Sequence, residues 1–226
     1  MNDREKHSIL VFDEIFLRES VEVNTNSQIL TYSDLVDFGA DNMNTHNFGE
    51  KADHGLVFLF QSLGCSFSQP IGVFVSKGNV KGTVLAQLII KAVMLLENVG
   101  AKVEGMVCDG AATNRKIWSE FGVSGQINNV KNYFIHPSDN KRKMYVLSDT
   151  PHLIKCVRNR LHDKKILKIG PDNNSVVSWY NYIDVHQIDK QQLGNKRVCP
   201  KITDRHLYLD TLSKMSVKLA TQVLNY

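Results

Sequence analysis

Two aspartates in apolar, β-prone surroundings are the residues best suited to chemistry. Asp13 lies within the run LVFDEIF, and Asp109 directly follows the run KVEGMVC. In open α/β sheets functional side chains gather at strand ends, and two carboxylates on neighbouring strands can share divalent cations. The pair is therefore a candidate metal site. The alternatives are a turn role for Asp109 in Asp-Gly and a solvated strand face for Asp13, although the apolar neighbours of Asp13 favour burial.

Two further carboxylates lie close to these runs. Glu14 follows Asp13, so strand alternation directs it to the opposite face and we do not expect it to be a co-ligand. Asp149 ends the later run KMYVL and precedes Pro151. It is either a third ligand or the N-cap of a helix that begins near Pro151, and capping is the preferred interpretation.

Charge is distributed unevenly along the chain. Residues 1–60 carry 4 Lys and Arg against 11 Asp and Glu, whereas residues 131–168 carry 10 against 3. The basic stretch suits a nucleic-acid backbone, with an ordinary solvated helix face as the alternative. Because its helical basic residues do not share one stripe, we expect at least one of them to serve packing. The candidates for phosphate contacts are Lys141, Arg142, Lys143, Lys155 and Arg158.

Several other kinds of site are not supported. The segment 78–83 lacks the Gly-Lys-Ser/Thr order of a P-loop, no histidine pair has helical ligand spacing, and no Gly-x-Ser-x-Gly motif occurs. The four cysteines are widely spaced, which favours reduced thiols in an intracellular protein. No segment has the length and apolarity of a membrane span or a signal peptide.

Hydrophobic periodicity predicts the elements that position these residues. The period-two and continuous apolar runs predict strands, and the three- and four-residue spacing from Val84 to Leu96 predicts a helix that stops near Gly100. We expect a mixed α/β sheet with flanking helices and a helical tail. Strands are predicted at 8–17, 27–39, 55–63, 71–75, 102–108 and 143–147; helices at 81–96, from a Thr113 cap to 121, and at 152–163, 176–188 and 212–224; turns or loops at 19–26, 41–54 and 131–140.

Two stretches are more specific than any single motif: CDGAATNRK, which begins at Cys108, and DTPHLIKCVRNRL, which begins at Asp149. They stand in order with FDEIFLRESVEV, LVFLFQSL, QPIGVFVSKG and KITDRHLYLD. Together these segments resemble the P-element transposase family, including its THAP-domain-bearing relatives.

The resemblance implies an RNase H-like domain over residues 1–148 that cuts and joins DNA with two divalent ions. Residues 149–226 would begin a helical insertion that binds guanine nucleotide, with GTP as the expected ligand. On this template Asp13 and Asp109 match the aspartates of the first and fourth strands, and both are expected to be catalytic ligands of Mg²⁺ or Mn²⁺. The implied partners are DNA, at transposon ends and target, and further copies of the chain. The implied location is the nucleus, without membrane association.

In the family the third acidic ligand is a Glu that follows the insertion, whereas this chain ends at Tyr226. With two of three carboxylates we expect weak ion binding and no competent transposase from this chain alone. No individual residue is matched to guanine nucleotide. The alternative function is a non-catalytic DNA- or protein-binding remnant, and a small-molecule α/β enzyme is less favoured.

Overall fold

The computed structural model describes residues 2–17, 23–24, 31–32, 51–169, 175–192 and 196–225. The chain divides into two compact units, residues 1–148 and residues 149–226. Within the described residues, no helix is both long and apolar enough to cross a membrane. All four cysteines are free thiols.

The first unit is built on a six-stranded mixed sheet, which confirms the predicted α/β class. The strand order is β5-β4-β1-β6-β10-β9, with β1, β6 and β10 mutually parallel and the other pairs antiparallel. The elements are α1 (Asp3–Lys6), β1 (His7–Phe16), β2 (Val23–Asn24), β3 (Thr31–Tyr32), β4 (His54–Ser62), β5 (Ser68–Ser76), α2 (Gly82–Asn98), β6 (Lys102–Cys108), α3 (Ala112–Glu120), β7 (Ser124–Gln126), β8 (Asn129–Lys131), β9 (Tyr133–His136) and β10 (Asp139–Ser148).

Helix α2 supplies the core of this unit, as its periodicity predicts. Its apolar residues Leu85, Ile89 and Val93 are fully buried against one face of the sheet. The helix ends at Asn98, and Gly100 takes φ +88°, a conformation that costs glycine little. Because α2 packs against one face of the sheet, the opposite face is available for functional side chains.

Two expectations for the first unit are wrong. Residues 131–140 are not a loop, because β9 pairs with β10 in a hairpin and β10 already begins at Asp139. Helix α3 is not capped by Thr113; its N-cap is Ala111, which makes no side-chain cap. Instead the carboxylate of Asp109 accepts the backbone N–H of Ala111, so the preceding strand end supplies the acceptor.

The second unit is mainly helical but contains a hairpin that the periodicity did not indicate. Its elements are α4 (Thr150–Lys164), β11 (Ile166–Ile169), β12 (Ser175–Ser178), α5 (Trp179–Lys190), α6 (Asp204–Leu207), α7 (Thr211–Met215) and α8 (Val217–Leu224). The β-branched residues Val176 and Val177 lie in β12, so the helix predicted over 176–188 begins at Trp179. The helix predicted over 212–224 is interrupted at Ser216.

The predicted turn at 19–26, strand at 27–39 and loop at 41–54 fall mainly outside the described residues. Within them, Val23–Asn24 and Thr31–Tyr32 form a two-stranded antiparallel ladder.

Candidate functional site

The parallel pairing of β1 with β6 brings the two candidate aspartates to neighbouring positions. Val11 pairs with Val107, and Asp13 and Asp109 each lie two residues further in the same direction. Adjacent strands are separated by about 4.8 Å, so the two backbones are close at this point. Residues 96 positions apart in sequence therefore lie at the same end of two central strands.

Both aspartates lie on the sheet face away from α2. The alternate residues Phe12 and Cys108 are buried in the core, which directs Asp13 and Asp109 to the other side. Asp13 is exposed and Asp109 half-buried. The expected burial of Asp13 is thus wrong, because alternation places its apolar neighbour Phe12 in the core instead.

The pKa of the buried Cys108 thiol is affected by both carboxylates. Burial raises the pKa of this thiol to about 11, and the negative charges of Asp109 and Asp13 add to the rise. Both carboxylates therefore act electrostatically on the same sulfur.

The carboxylate of Asp109 is oriented by the start of α3. Its Oδ1 accepts the N–H of Ala111 at 2.9 Å and the Nδ2 of Asn114 at 2.7 Å. Asn114 is only 6% exposed, so this bond is fixed by the fold. Both bonds use Oδ1, and Oδ2 makes no hydrogen bond with the described residues. Sequence reasoning did not identify Asn114; the signal was an Asp followed five residues later by Asn in the first turn of a helix.

Glu14 and Asp149, the other two candidate carboxylates, both accept hydrogen bonds elsewhere and do not join Asp13 and Asp109 as ligands. Glu14 accepts hydrogen bonds from Asn79 Nδ2 and Val80 N–H, both at 3.0 Å, in agreement with its expected opposite orientation. Asp149 is the N-cap of α4 and accepts the N–H of His152 at 3.1 Å, as predicted.

The two carboxylates are suitable ligands for a hard divalent cation, but two side chains supply only part of the ligands that such an ion needs. Carboxylate oxygens are the ligands that Mg²⁺ and Mn²⁺ prefer. No cluster of three or more His, Cys, Asp or Glu side chains with metal-binding geometry occurs in the described parts of the chain. Asp13 and Asp109 could thus hold part of the coordination sphere of an ion, with the remaining positions filled from elsewhere.

Within the segment 78–83, residues 78–81 form a loop held by an acidic residue, and residues 82 and 83 already belong to α2. The N–H of Gly78 donates to Asp53 Oδ1 at 2.5 Å, and His54 Nδ1 lies 2.7 Å from the same oxygen. The hydrogen bonds from His54 and Gly78, with the Lys77 charge, lower the pKa of Asp53 to about 2 despite some burial. The negative charge of the Asp53 carboxylate would repel a phosphate group, so this loop is poorly suited to bind one.

The candidate phosphate-binding residues have different environments. In the first unit Lys141 and Lys143 are exposed, whereas Arg142 donates to Glu97 Oε2 at 2.9 Å and to the Val103 carbonyl at 3.2 Å.

In the second unit Lys155 is half-buried and Arg158 is 0% exposed. Its Nη2 donates to the carbonyl oxygens of Ser213, Lys214 and Ser216. Arg158 is therefore the basic helical residue that serves packing, as expected from the lack of a common stripe. It is not available to an external phosphate.

The contact between Arg142 and Glu97 predicts a pH-dependent contribution to stability. Burial raises the pKa of Glu97, but hydrogen bonds from the Arg142 guanidinium and the Val103 N–H outweigh it, so the pKa is lowered. A lowered folded-state pKa adds stability above the ordinary carboxyl pKa, and this is lost as pH falls through the folded value. We expect Glu97→Gln to reduce the free energy of unfolding by about 1–2 kcal/mol near neutral pH.

The difference between wild type and Glu97→Gln should shrink as the pH is lowered through and below 4.5, the ordinary pKa of this side chain. Urea titrations across this range measure it. Glu120→Gln is the control, because Glu120 forms an i,i+4 pair with Lys116 on the surface, a kind of pair that contributes little to stability. A Glu97→Gln effect that stays constant across the range would show that the charge of Glu97 does not matter.

Comparison with known proteins shows similarity along the whole chain. Residues 1–122 match the family model described as TNP-like, RNase H N-terminal domain, and residues 151–226 match TNP-like, GTP-binding insertion domain. The chain is 28% identical over 225 residues to the transposable element P transposase of Drosophila melanogaster, covering 100% of this chain and 26% of the relative.

Against the human DNA transposase THAP9, identity is 20% over 191 residues, covering 84% of this chain and 20% of the relative. The solved Drosophila P element transposase strand transfer complex contains a chain with a TM-score of 0.75 and 27% identity; the match covers 99% of this chain and 43% of that one. The chain thus spans about a quarter or less of the length of these curated relatives.

Proposed function

This chain belongs to the TNP-like family with an RNase H N-terminal domain, and from that premise we propose that it forms the beginning of a metal-dependent DNA transposase active site. The proposal rests on one observation above all. Asp13 and Asp109 each lie two residues beyond Val11–Val107, the last pair of the β1–β6 register, on the same face of the sheet. These residues are the proposed catalytic metal ligands.

Each aspartate has a defined part in the proposed site. Asp109 would present Oδ2 to a Mg²⁺ or Mn²⁺ ion while Ala111 and Asn114 hold Oδ1. Asp13 would bind the same ion from the neighbouring strand. When bound, divalent ions of this kind activate the attacking oxygen and stabilise the leaving oxygen of a phosphoryl transfer. With no third acidic group beside the pair in the described residues, we propose that these 226 residues alone do not carry out the complete reaction.

We propose DNA as the macromolecular partner, since the similar solved structure is that of a transposase strand transfer complex. Of the five basic candidates, Lys141, Lys143 and Lys155 remain suited to phosphate contacts, because Arg142 and Arg158 are engaged inside the protein. Action on chromosomal DNA would place the protein in the nucleus, and pairing of DNA ends would require further copies of the chain.

We further propose that residues 149–226 contribute to a guanine-nucleotide site, with GTP as the ligand. The support is the match of residues 151–226 to the insertion-domain model. No side chain is assigned to the nucleotide. Binding of a fluorescent GTP analogue, competed by GTP but not by ATP, is the expected result for the chain.

A second candidate is a nucleic-acid- or protein-binding role without catalysis. The observation in its favour is the two-carboxylate set, which lacks a third acidic ligand in the described residues. Under this candidate DNA would bind in a salt-dependent manner, and the aspartates would be dispensable.

One set of assays separates these candidates. The chain is incubated with supercoiled plasmid and Mn²⁺, and DNA binding is measured in parallel for wild type, Asp13→Ala and Asp109→Ala. We expect salt-dependent binding by all three proteins, no complete strand transfer, and loss in both variants of any Mn²⁺-dependent nicking that the wild type shows. Absence of DNA binding, or nicking that survives both substitutions, would contradict the proposal.

A further inference from the structure

Two lysine side chains converge on one tyrosine ring in the first unit. The Nζ of Lys143 lies 4.3 Å from the centroid of the Tyr133 ring, and the Nζ of Lys131 lies 5.7 Å from the same centroid. Tyr145 is the cross-strand partner of Tyr133, with ring centroids 6.3 Å apart. These four residues form a compact surface group, hereafter the Lys–Tyr cluster.

The cluster gathers positive charge, and no acid in the part of the chain that the structure describes forms an ion pair with it. The two ammonium groups are within about 10 Å of each other, and like charges at that separation repel, by about 0.4 kcal/mol in a fully aqueous environment. Neither Lys131 nor Lys143 forms a salt bridge with the described residues, whereas Lys116 and Lys102 of the same unit do. Attraction to the electron-rich ring holds each ammonium in place. The arrangement suits an external anion that would neutralise both charges.

The cluster lies on the same sheet face as the two aspartates. Tyr145 pairs with Gly105 across β10 and β6, and Leu147 pairs with Val107. Asp109 continues the same alternation on β6, four residues beyond Gly105, or about 13 Å along the strand. Tyr145 is 45% exposed, so this face is open to a ligand at the cluster.

We propose that the Lys–Tyr cluster binds the phosphate backbone of DNA on the sheet face that carries Asp13 and Asp109. Lys131 and Lys143 contact phosphate oxygens, and Tyr133 is a positioning residue that fixes both ammonium groups. This inference rests on the proposed DNA-transposase function and adds a specific backbone contact to it.

Salt-dependent binding of a labelled DNA duplex tests the contact. Lys131→Ala/Lys143→Ala should lower the slope of log K against log salt by about 1.8, since each neutralised phosphate contributes about 0.9. The control is Lys51→Ala/Lys81→Ala, which removes two exposed charges from the same unit and should leave the slope unchanged. Lys131→Arg/Lys143→Arg should retain the wild-type slope, which separates loss of charge from loss of fold.

Tyrosine variants test the positioning role. Tyr133→Phe keeps the ring and should bind DNA like wild type, whereas Tyr133→Leu should weaken binding several-fold. An unchanged slope in the Lys131→Ala/Lys143→Ala variant, with normal wild-type binding, would overturn the inference and leave the proposed function standing. Failure of the wild-type chain to bind DNA would overturn both.

Discussion

Replacement of Arg158 by methionine is expected to destabilise the unit of residues 149–226 by about 2–4 kcal/mol, because it removes a fully buried hydrogen-bond donor from three backbone carbonyls. The guanidinium Nη2 donates to the carbonyl oxygens of Ser213 at 2.9 Å, Lys214 at 3.1 Å and Ser216 at 3.4 Å. These carbonyls surround the interruption between α7 and α8. Methionine fills similar space but donates no hydrogen bond, so the interruption would keep the bond from Asn159 Nδ2 to the Lys214 carbonyl and lose those from Arg158.

The burial of Arg158 also has a cost that the hydrogen bonds must offset. Burial lowers the pKa of Arg158, and its Nε and Nη1 have no hydrogen-bond partner among the described residues. This cost reduces the net contribution of the residue, which is why the expected loss begins below the ~3–5 kcal/mol typical of a broken buried ion pair.

Urea unfolding followed by the fluorescence of Trp179 measures this loss. Trp179 is fully buried in the second unit, and a Trp118→Phe background removes the signal from the first unit. Arg160→Met is the matched control, because Arg160 is exposed two residues along the same helix, and it should change stability by no more than about 0.5 kcal/mol. Equal stability of the Arg158→Met and Arg160→Met proteins would show that the carbonyls do not depend on the guanidinium.

Elements with strong local signals could be predicted from the sequence. Helix α2 has apolar residues at regular three- and four-residue spacing and a glycine at its end, so local information defined both its face and its end. Asp149 precedes a proline-containing first turn, and its cap was likewise identified. In both cases the determining contacts are made within a few residues.

The missed elements depend on contacts between distant residues. The carbonyl partners of Arg158 lie 55 or more positions away, so no helical pattern around residue 158 could reveal its burial. The β11–β12 hairpin is short, and its strand residues Val176 and Val177 fit a helical pattern equally well until their pairing with β11 is known. Charge alone likewise could not distinguish Arg142, which binds Glu97, from its exposed neighbour Lys143.

The candidate site was only partly accessible to sequence reasoning. Asp13 and Asp109 follow from strand ends and the family resemblance, but their proximity depends on β1 and β6 being adjacent and parallel. Asn114 was missed because its role is visible only when its Nδ2 is placed 2.7 Å from the carboxylate of Asp109. The sequence thus identified the two aspartates, whereas their relative position follows from the strand order of the folded sheet.

Asparagine at either aspartate position is expected to weaken Mn²⁺ binding by at least about 10-fold, because an amide keeps the shape but removes the charge that a hard cation requires. Asp13→Asn and Asp109→Asn should have effects of similar size if both ligate one ion. Asn114→Ala should have a smaller effect, since it frees Asp109 Oδ1 without removing the carboxylate. Glu14→Gln is the control, because the carboxylate of Glu14 is bound to Asn79 and Val80.

The central claim is that residues 13 and 109 hold the same ion. Electron paramagnetic resonance of free Mn²⁺, titrated with the full chain, counts the bound ions directly without requiring catalysis. We expect one weakly bound Mn²⁺ in wild type and in Glu14→Gln, and its loss over the same concentration range in Asp13→Asn and in Asp109→Asn. Undiminished Mn²⁺ binding in either aspartate variant would show that the two carboxylates do not share an ion.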